Sequence, residues 1–98
     1  MAATKTFRDL GFRLDEVTQW YKIGDLLNEE ILVLDFILVN GRHGIYALVK
    51  FNREDEVVLC GLSTGAKVII EKLQLARDQH LLPLAGKVIK QNQWYDLV

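Results

Sequence analysis

Ile31-Leu32-Val33-Leu34-Asp35-Phe36-Ile37-Leu38-Val39 is followed by Asn40-Gly41-Arg42-His43-Gly44 and then by Ile45-Tyr46-Ala47-Leu48-Val49-Lys50-Phe51. The first run is rich in β-branched and large apolar residues, which suits a strand better than a helix of that length. The middle five residues carry two glycines in a polar context and read as a turn. The last run alternates: Ile45, Ala47, Val49 and Phe51 fall on one face, Tyr46, Leu48 and Lys50 on the other. The stretch predicts a long β-hairpin with one apolar face.

Punctuation on either side extends this reading. Asn52 to Glu56 is a polar, acidic turn, and Val57 to Gly61 is expected to return as a third strand. The period then changes. Ala66, Ile69, Ile70 and Leu73 share one face at helical spacing, and Ser63 or Thr64 stands where an N-cap would accept an unpaired N–H. This helix is expected to run to about Arg77. Leu82-Pro83 ends the connection, because proline has no N–H and biases its predecessor toward extended geometry. Lys87 to Lys90 follows as a fourth strand, Gln91-Asn92 as a turn and Trp94 to Leu97 as a fifth strand.

The expected fold is therefore all-β with one helix, in the order β-β-β-α-β-β. A helix between the third and fourth strands of a five-stranded antiparallel set is the arrangement of an OB-like barrel. Another small α+β domain with the same element order is the alternative. The expected division is an N-terminal extension over 1–19 and an OB-like domain over 20–98. Before the barrel, Thr4 to Ile23 admits an extra strand at Gln19 to Lys22 or a helical turn around Asp15 to Trp20.

Composition bounds the function. Ninety-eight residues suit one domain, and half of them are apolar, as in an ordinary globular chain. The longest apolar run is interrupted by Asp35 and is too short to span a bilayer, so no membrane partner is expected. Met1 to Arg13 lacks the apolar core of a signal peptide, and Cys60 is the single cysteine, which points to a cytoplasmic, reducing setting. The formal net charge is −1, which argues against a strong nucleic-acid binder, since that affinity comes largely from phosphate neutralisation. The distribution of charge says more. No acid occurs from Phe36 to Arg53 or from Gln79 to Tyr95, whereas acids gather at Asp25, Glu29, Glu30, Asp35 and the run Glu54-Asp55-Glu56.

Three stretches carry a resemblance: Ile23-Gly24-Asp25-Leu26-Leu27-Asn28-Glu29-Glu30-Ile31, Ser63-Thr64-Gly65-Ala66-Lys67-Val68-Ile69, and Leu82-Pro83-Leu84 leading to Val88-Ile89-Lys90-Gln91-Asn92-Gln93-Trp94-Tyr95. In this order they resemble the small OB-fold, single-stranded-DNA-binding-like proteins of phages and mobile elements. The resemblance covers about residues 20 to 97, and its motifs are short and mostly structural. It implies an OB barrel that binds single-stranded DNA in replication or recombination without catalysis. Three positions depart from the pattern: Asn28 stands where glycine is usual, Glu29 where lysine is usual, and Asp96 adds an acid to the last strand.

Two motifs suggest chemistry and are better read structurally. Gly61-Leu62-Ser63-Thr64-Gly65 matches a nucleophile elbow, with Asp78 and His80 following in order. That elbow belongs to a larger parallel-sheet fold, and glycine with a capping hydroxyl accounts for the residues. Cys60 lies in an apolar run, as a small core residue does, and nothing in the sequence places His43 or His80 beside it. The spacing of His43, Cys60 and His80 matches no zinc pattern, so no metal, cofactor or catalytic residue is expected.

The binding reading rests on aromatic and basic residues. OB barrels hold oligonucleotides on their second and third strands and the loops that flank them, using a basic groove and aromatic stacking. The expected nucleic-acid-binding residues are Arg42, Tyr46, Lys50, Arg53, Lys87, Lys90 and Trp94, with Tyr46 stacking on a base and the cations on phosphates. Single-stranded DNA is the expected partner, and several copies in a homo-oligomer would compensate a weak single face. The competing expectation is an OB-fold interaction or assembly module, with Leu26, Leu27, Leu81, Leu82, Leu84 and Val98 marking a subunit interface.

Overall fold

A computed structural model describes residues 16–53 and 58–98. Six strands and one helix follow in order: β1 Gln19–Lys22, a 3-10 turn Ile23–Leu26, β2 Glu30–Gly41, β3 Gly44–Arg53, β4 Cys60–Thr64, α1 Lys67–Asp78, β5 Leu84–Gln91 and β6 Trp94–Leu97. The strands form one curled sheet in the order β1-β4-β3-β2-β5-β6. The sheet is mixed, because β1 runs parallel to β4 while every other pair is antiparallel. This corrects the expectation of five antiparallel strands. Of the two readings left open for the N-terminal segment, the extra strand at Gln19 to Lys22 is observed, and Glu16, within the range of the other, is in 3-10 conformation. Asp15, the acidic residues Glu54 to Glu56 and the expected third-strand start at Val57 lie outside the described residues.

The predicted hairpin is the centre of the sheet. β2 pairs with β3 along most of its length and, through Glu30 to Val33, with β5 on its other edge. The register slips by one residue between Val33 and Asp35, leaving Leu34 as a bulge. A bulge bends its strand and resets which side chains face inward. Ile31 and Val33 therefore point into the core before the bulge and Phe36 after it, all three buried. The bulge explains how so unbroken an apolar run serves a strand with two different faces. Asp35, reset to the outer face, accepts the N–H of Phe36 at 2.8 Å.

Reading the register across the sheet gives the inner rows. Val33 lies beside Phe51 and Phe51 beside Cys60; Phe36 lies beside Val49, then Leu62, then Tyr21. Ile69, Ile70 and Leu73 of α1 close over these rows and are buried with them. At the start of α1, Ala66 donates its N–H to Thr64 Oγ1 at 3.1 Å, so Thr64 makes a local turn from the end of β4. The N-cap position itself is Ala66, two or three residues later than the expected Thr64 or Ser63. At the other end, Leu81 N–H reaches Ala76 O at 2.8 Å and His80 N–H reaches Arg77 O at 3.0 Å. With His80 at φ 57°, this is a Schellman ending, with histidine where glycine is usual.

Candidate nucleic-acid interface

Side-chain alternation sorts the seven expected residues into three groups. Tyr46 and Lys50 point to the outer face of β3, opposite Val39 and Asp35 of β2. Lys87 lies beside Glu30 and Trp94 beside Gln91, so both also fall on the outer side of their strands. Arg42 occupies the exposed β2–β3 turn. Arg53 and Lys90 have the opposite parity and face the end of the barrel instead.

The barrel-end residues are engaged with the fold. The Arg53 guanidinium donates to Tyr21 Oη at 3.1 Å, bonds Glu29 through its other nitrogen, and lies 5.4 Å from the centre of the Tyr21 ring. Hydrogen bonds to Tyr21 and then to Glu29 hold its proton more firmly than usual. Tyr21 packs in turn on Phe51, with ring centres 6.0 Å apart. Lys90 lies 5.4 Å from the Tyr95 ring, and Tyr95 is half-buried against the core. The two departures at 28 and 29 are explained at this end. Asn28 sits at φ 67°, a left-handed position that asparagine tolerates next best to glycine, and Glu29 is the partner of Arg53.

The outer-face residues differ in exposure. Trp94 is 73% exposed, the most of any large apolar side chain described. Its neighbour Tyr95 turns inward, as alternation along a strand requires. Tyr46 is half-buried, its ring packed across Gly41 so closely that a β-carbon there would lie 2.8 Å from it. Lys87 is exposed, while its backbone is held by Val98 through bonds of 2.7 and 2.9 Å. Lys50 is buried, with only 9% of its side chain exposed, and Glu16 lies 3.7 Å from its Nζ. Residues 16–20 are the cause: Gln19 and Trp20 pair edge to edge with β4, and the Trp20 ring and Val17 fill the space left by Gly61, the register neighbour of Lys50.

The two acid-free stretches become the β2–β3 hairpin and most of the β5–β6 hairpin. Because β5 runs antiparallel to β2 and continues past Glu30, the two turns leave β2 at opposite ends. A 12-residue strand at about 3.3 Å per residue separates them by roughly 40 Å before the bend at Leu34 shortens the path.

The remaining sequence signals also find their places. Ser63 lies within β4, paired with Leu48 on one side and Lys22 on the other, so it occupies regular strand rather than a sharp elbow. Cys60 is fully buried in the core. His80 ends α1 and His43 is exposed in the β2–β3 turn. Among the described residues, no three His, Cys, Asp or Glu side chains come together as a metal site, and no helix is long and apolar enough to cross a membrane. Of the leucine cluster, Leu26 belongs to the core and Leu27 is partly exposed. Leu81, Leu82, Leu84 and Val98 do meet, with Leu73 and Leu75 of α1, around an apolar groove of about 230 Å³. Helical periodicity does not mark α1 as completing it, because Leu75 lies off the apolar face of Ala66, Ile69, Ile70 and Leu73. Comparison with protein-family models, curated proteins and solved structures finds no match for the chain.

Proposed function

We propose that the curled sheet is an OB barrel with an added N-terminal strand, and that the protein binds single-stranded DNA, without catalysis and without sequence preference. Support for the barrel is the order β4-β3-β2-β5-β6 with α1 between β4 and β5, in which the bulged β2 is shared between two hairpins. The observation that carries the function is Trp94, an indole left 73% exposed inside a stretch without acids. An exposed aromatic surface of that size is a platform on which any base can stack, and Lys87, on the same outer side of β5 four residues before Trp94's partner Gln91, adds phosphate attraction along the strand. Tyr46 with Arg42 repeats the pairing of aromatic and cation at the other end of β2. Arg53 drops out of the contact set, because Tyr21 and Glu29 hold it at the barrel end, whereas Lys90 is exposed beside Tyr95 and stays in it.

The test is fluorescence anisotropy with a labelled oligo-dT of about 30 nucleotides at two salt concentrations, long enough for the 4–16 nucleotides an OB fold covers. Micromolar or tighter binding that weakens steeply with salt is the expected result. Absence of binding at low salt defeats the reading.

A second reading, assembly between copies of the chain, is favoured by the groove at Leu81, Leu82, Leu84 and Val98. Sedimentation decides it: a dimer that Leu84→Asp converts to monomer supports it, and a monomer at high concentration removes it.

A further inference from the structure

We propose that residues 16–20 form a displaceable strap that occupies the nucleic-acid face in the free protein and must lift before a strand can reach Lys50. The inference rests on the nucleic-acid reading given above. Three observations carry it. First, the Glu16 carboxylate stands 3.7 Å from Lys50 Nζ, so an anion of the chain itself takes up a position where a phosphate would bind. Second, the sheet has a seat for the strap. A β-carbon on Gly61 would come within 2.7 and 2.8 Å of the Trp20 ring and 2.9 Å of Val17, and these are the three nearest atoms it would meet. The missing side chain thus serves contact with residues 16–20. Third, the strap lies at the sheet's edge: Gln19 and Trp20 pair with Cys60 and Gly61 of β4, β1 is the terminal strand of the sheet, and residues 16–18 precede it. Tyr21 is fixed inward against Phe51 and Arg53, whereas Glu16, Thr18, Gln19 and Trp20 are exposed. Thr18 holds on through its N–H and hydroxyl, both donated to Leu59 O at 3.0 Å.

This geometry makes Tyr21 the hinge and 16–20 the moving part. Lifting it unpairs Gln19 and Trp20 from the β4 edge, uncovers Lys50 and frees Trp20, which is 45% exposed while paired, for stacking. The closed strap lowers apparent affinity by the fraction of molecules in which it is open. A strap that only completes the fold would instead leave binding unaffected or make it weaker when disturbed.

Gly61→Val provides the test, since its added carbons collide with Trp20 and Val17 while a β-branched residue suits a strand. Oligo-dT affinity of Gly61→Val is expected to rise about tenfold over the wild type. The slope of log affinity against log salt is expected to steepen by about 0.7, the share of one added phosphate contact on a single strand. Because the substitution could perturb folding, amide hydrogen exchange on the wild type gives an independent readout. Residues 16–20, including the Thr18 amide, are expected to exchange faster at saturating oligo-dT. If the wild type binds DNA while these amides stay as protected as before, or if a folded Gly61→Val binds with unchanged slope, the strap is refuted and the DNA reading stands. If neither protein binds at low salt, the DNA reading fails and takes the strap with it.

Discussion

Trp94 and Tyr95 are adjacent on one strand and face opposite ways, so replacing each by alanine separates binding from folding. Trp94 is 73% exposed. About a quarter of its surface, roughly 40–65 Å², is therefore removed from water, and at about 25 cal/mol per Å² the loss on truncation is about 1–1.6 kcal/mol. For a domain of this size that lowers the thermal midpoint by about 4–13 °C. Loss of a stacking platform, by contrast, is worth about 1–3 kcal/mol per base, a five- to 150-fold rise in Kd for oligo-dT. Tyr95 packs on the core, its hydroxyl reaching the 3-10 turn so closely that a β-carbon at Gly24 would lie 2.9 Å from it. Tyr95 is half-buried, so its truncation costs about 2–3 kcal/mol, at or below the low end for a fully buried aromatic, or roughly 8–24 °C. Differential scanning calorimetry and anisotropy on the two variants give a double dissociation: Trp94→Ala loses affinity with a modest thermal change, Tyr95→Ala the reverse. If Trp94→Ala remains folded and binds oligo-dT as the wild type does, Trp94 is not the platform and the functional argument loses its main support.

Three further outcomes follow from particular contacts. Arg53→Gln is expected to lower the thermal midpoint, because Tyr21 and Glu29 lose their shared donor, while the salt slope of DNA binding stays unchanged; a slope reduced by about 0.7 would return Arg53 to the phosphate contacts. The carboxyl of Asp96 is held below its usual range chiefly by the hydrogen bond from Lys72, helped by the backbone N–H of Leu97. A carboxylate with a lowered folded-state pKa stabilises above its unfolded value and loses that contribution as pH falls through the folded one. Urea midpoints should therefore fall further for the wild type than for Asp96→Asn between about pH 5 and pH 3, and equal falls would show the pair to be idle. His80→Gly should raise stability by about 1 kcal/mol, since glycine removes the cost of a left-handed residue at the end of α1; a lower midpoint in urea would contradict the assignment of that cost.

The hairpin of β2 and β3, the helix and the last two strands were legible because each carries a local signal. Alternation in Ile45 to Phe51, helical spacing in Ala66 to Leu73 and turn residues at Gly41 and Asn92 need no knowledge of the rest of the chain. The bulge at Leu34 was not legible. In a run where every residue but Asp35 is apolar, a slip of one position leaves hydrophobic side chains on both faces, and only the partner strand reveals it. The parallel pairing of β1 with β4 was hidden for a similar reason. Four residues, Gln19 to Lys22, hold too little alternation to state a face, and a parallel partner leaves no hairpin turn between the two strands. At the candidate site, residue types were readable and their facing was readable in part. Tyr46 and Lys50 were placed on one face correctly, but no property of either residue announces that a separate segment lies over Lys50.

Burial of Lys50 beside Glu16 gives the charge pattern a different weight. A sequence without acids from Phe36 to Arg53 looks like an open basic surface, yet in the fold two of its cations are already answered by carboxylates from outside the stretch. Glu29 meets Arg53, and Glu16 meets Lys50. Both acids come from the segment that precedes β2, so the same short region neutralises the hairpin at its end and on its face. The remaining cations of the expected site are exposed, but Arg42 at the turn lies far along the sheet from Lys87 and Lys90 on β5. A ligand that gains affinity from phosphates must therefore either bridge these distant points or displace an internal acid. The first route demands length in the nucleic acid, and the second demands movement in residues 16–20. Binding that strengthens with oligonucleotide length at constant strap protection favours the first, and faster exchange in the strap with short oligonucleotides favours the second.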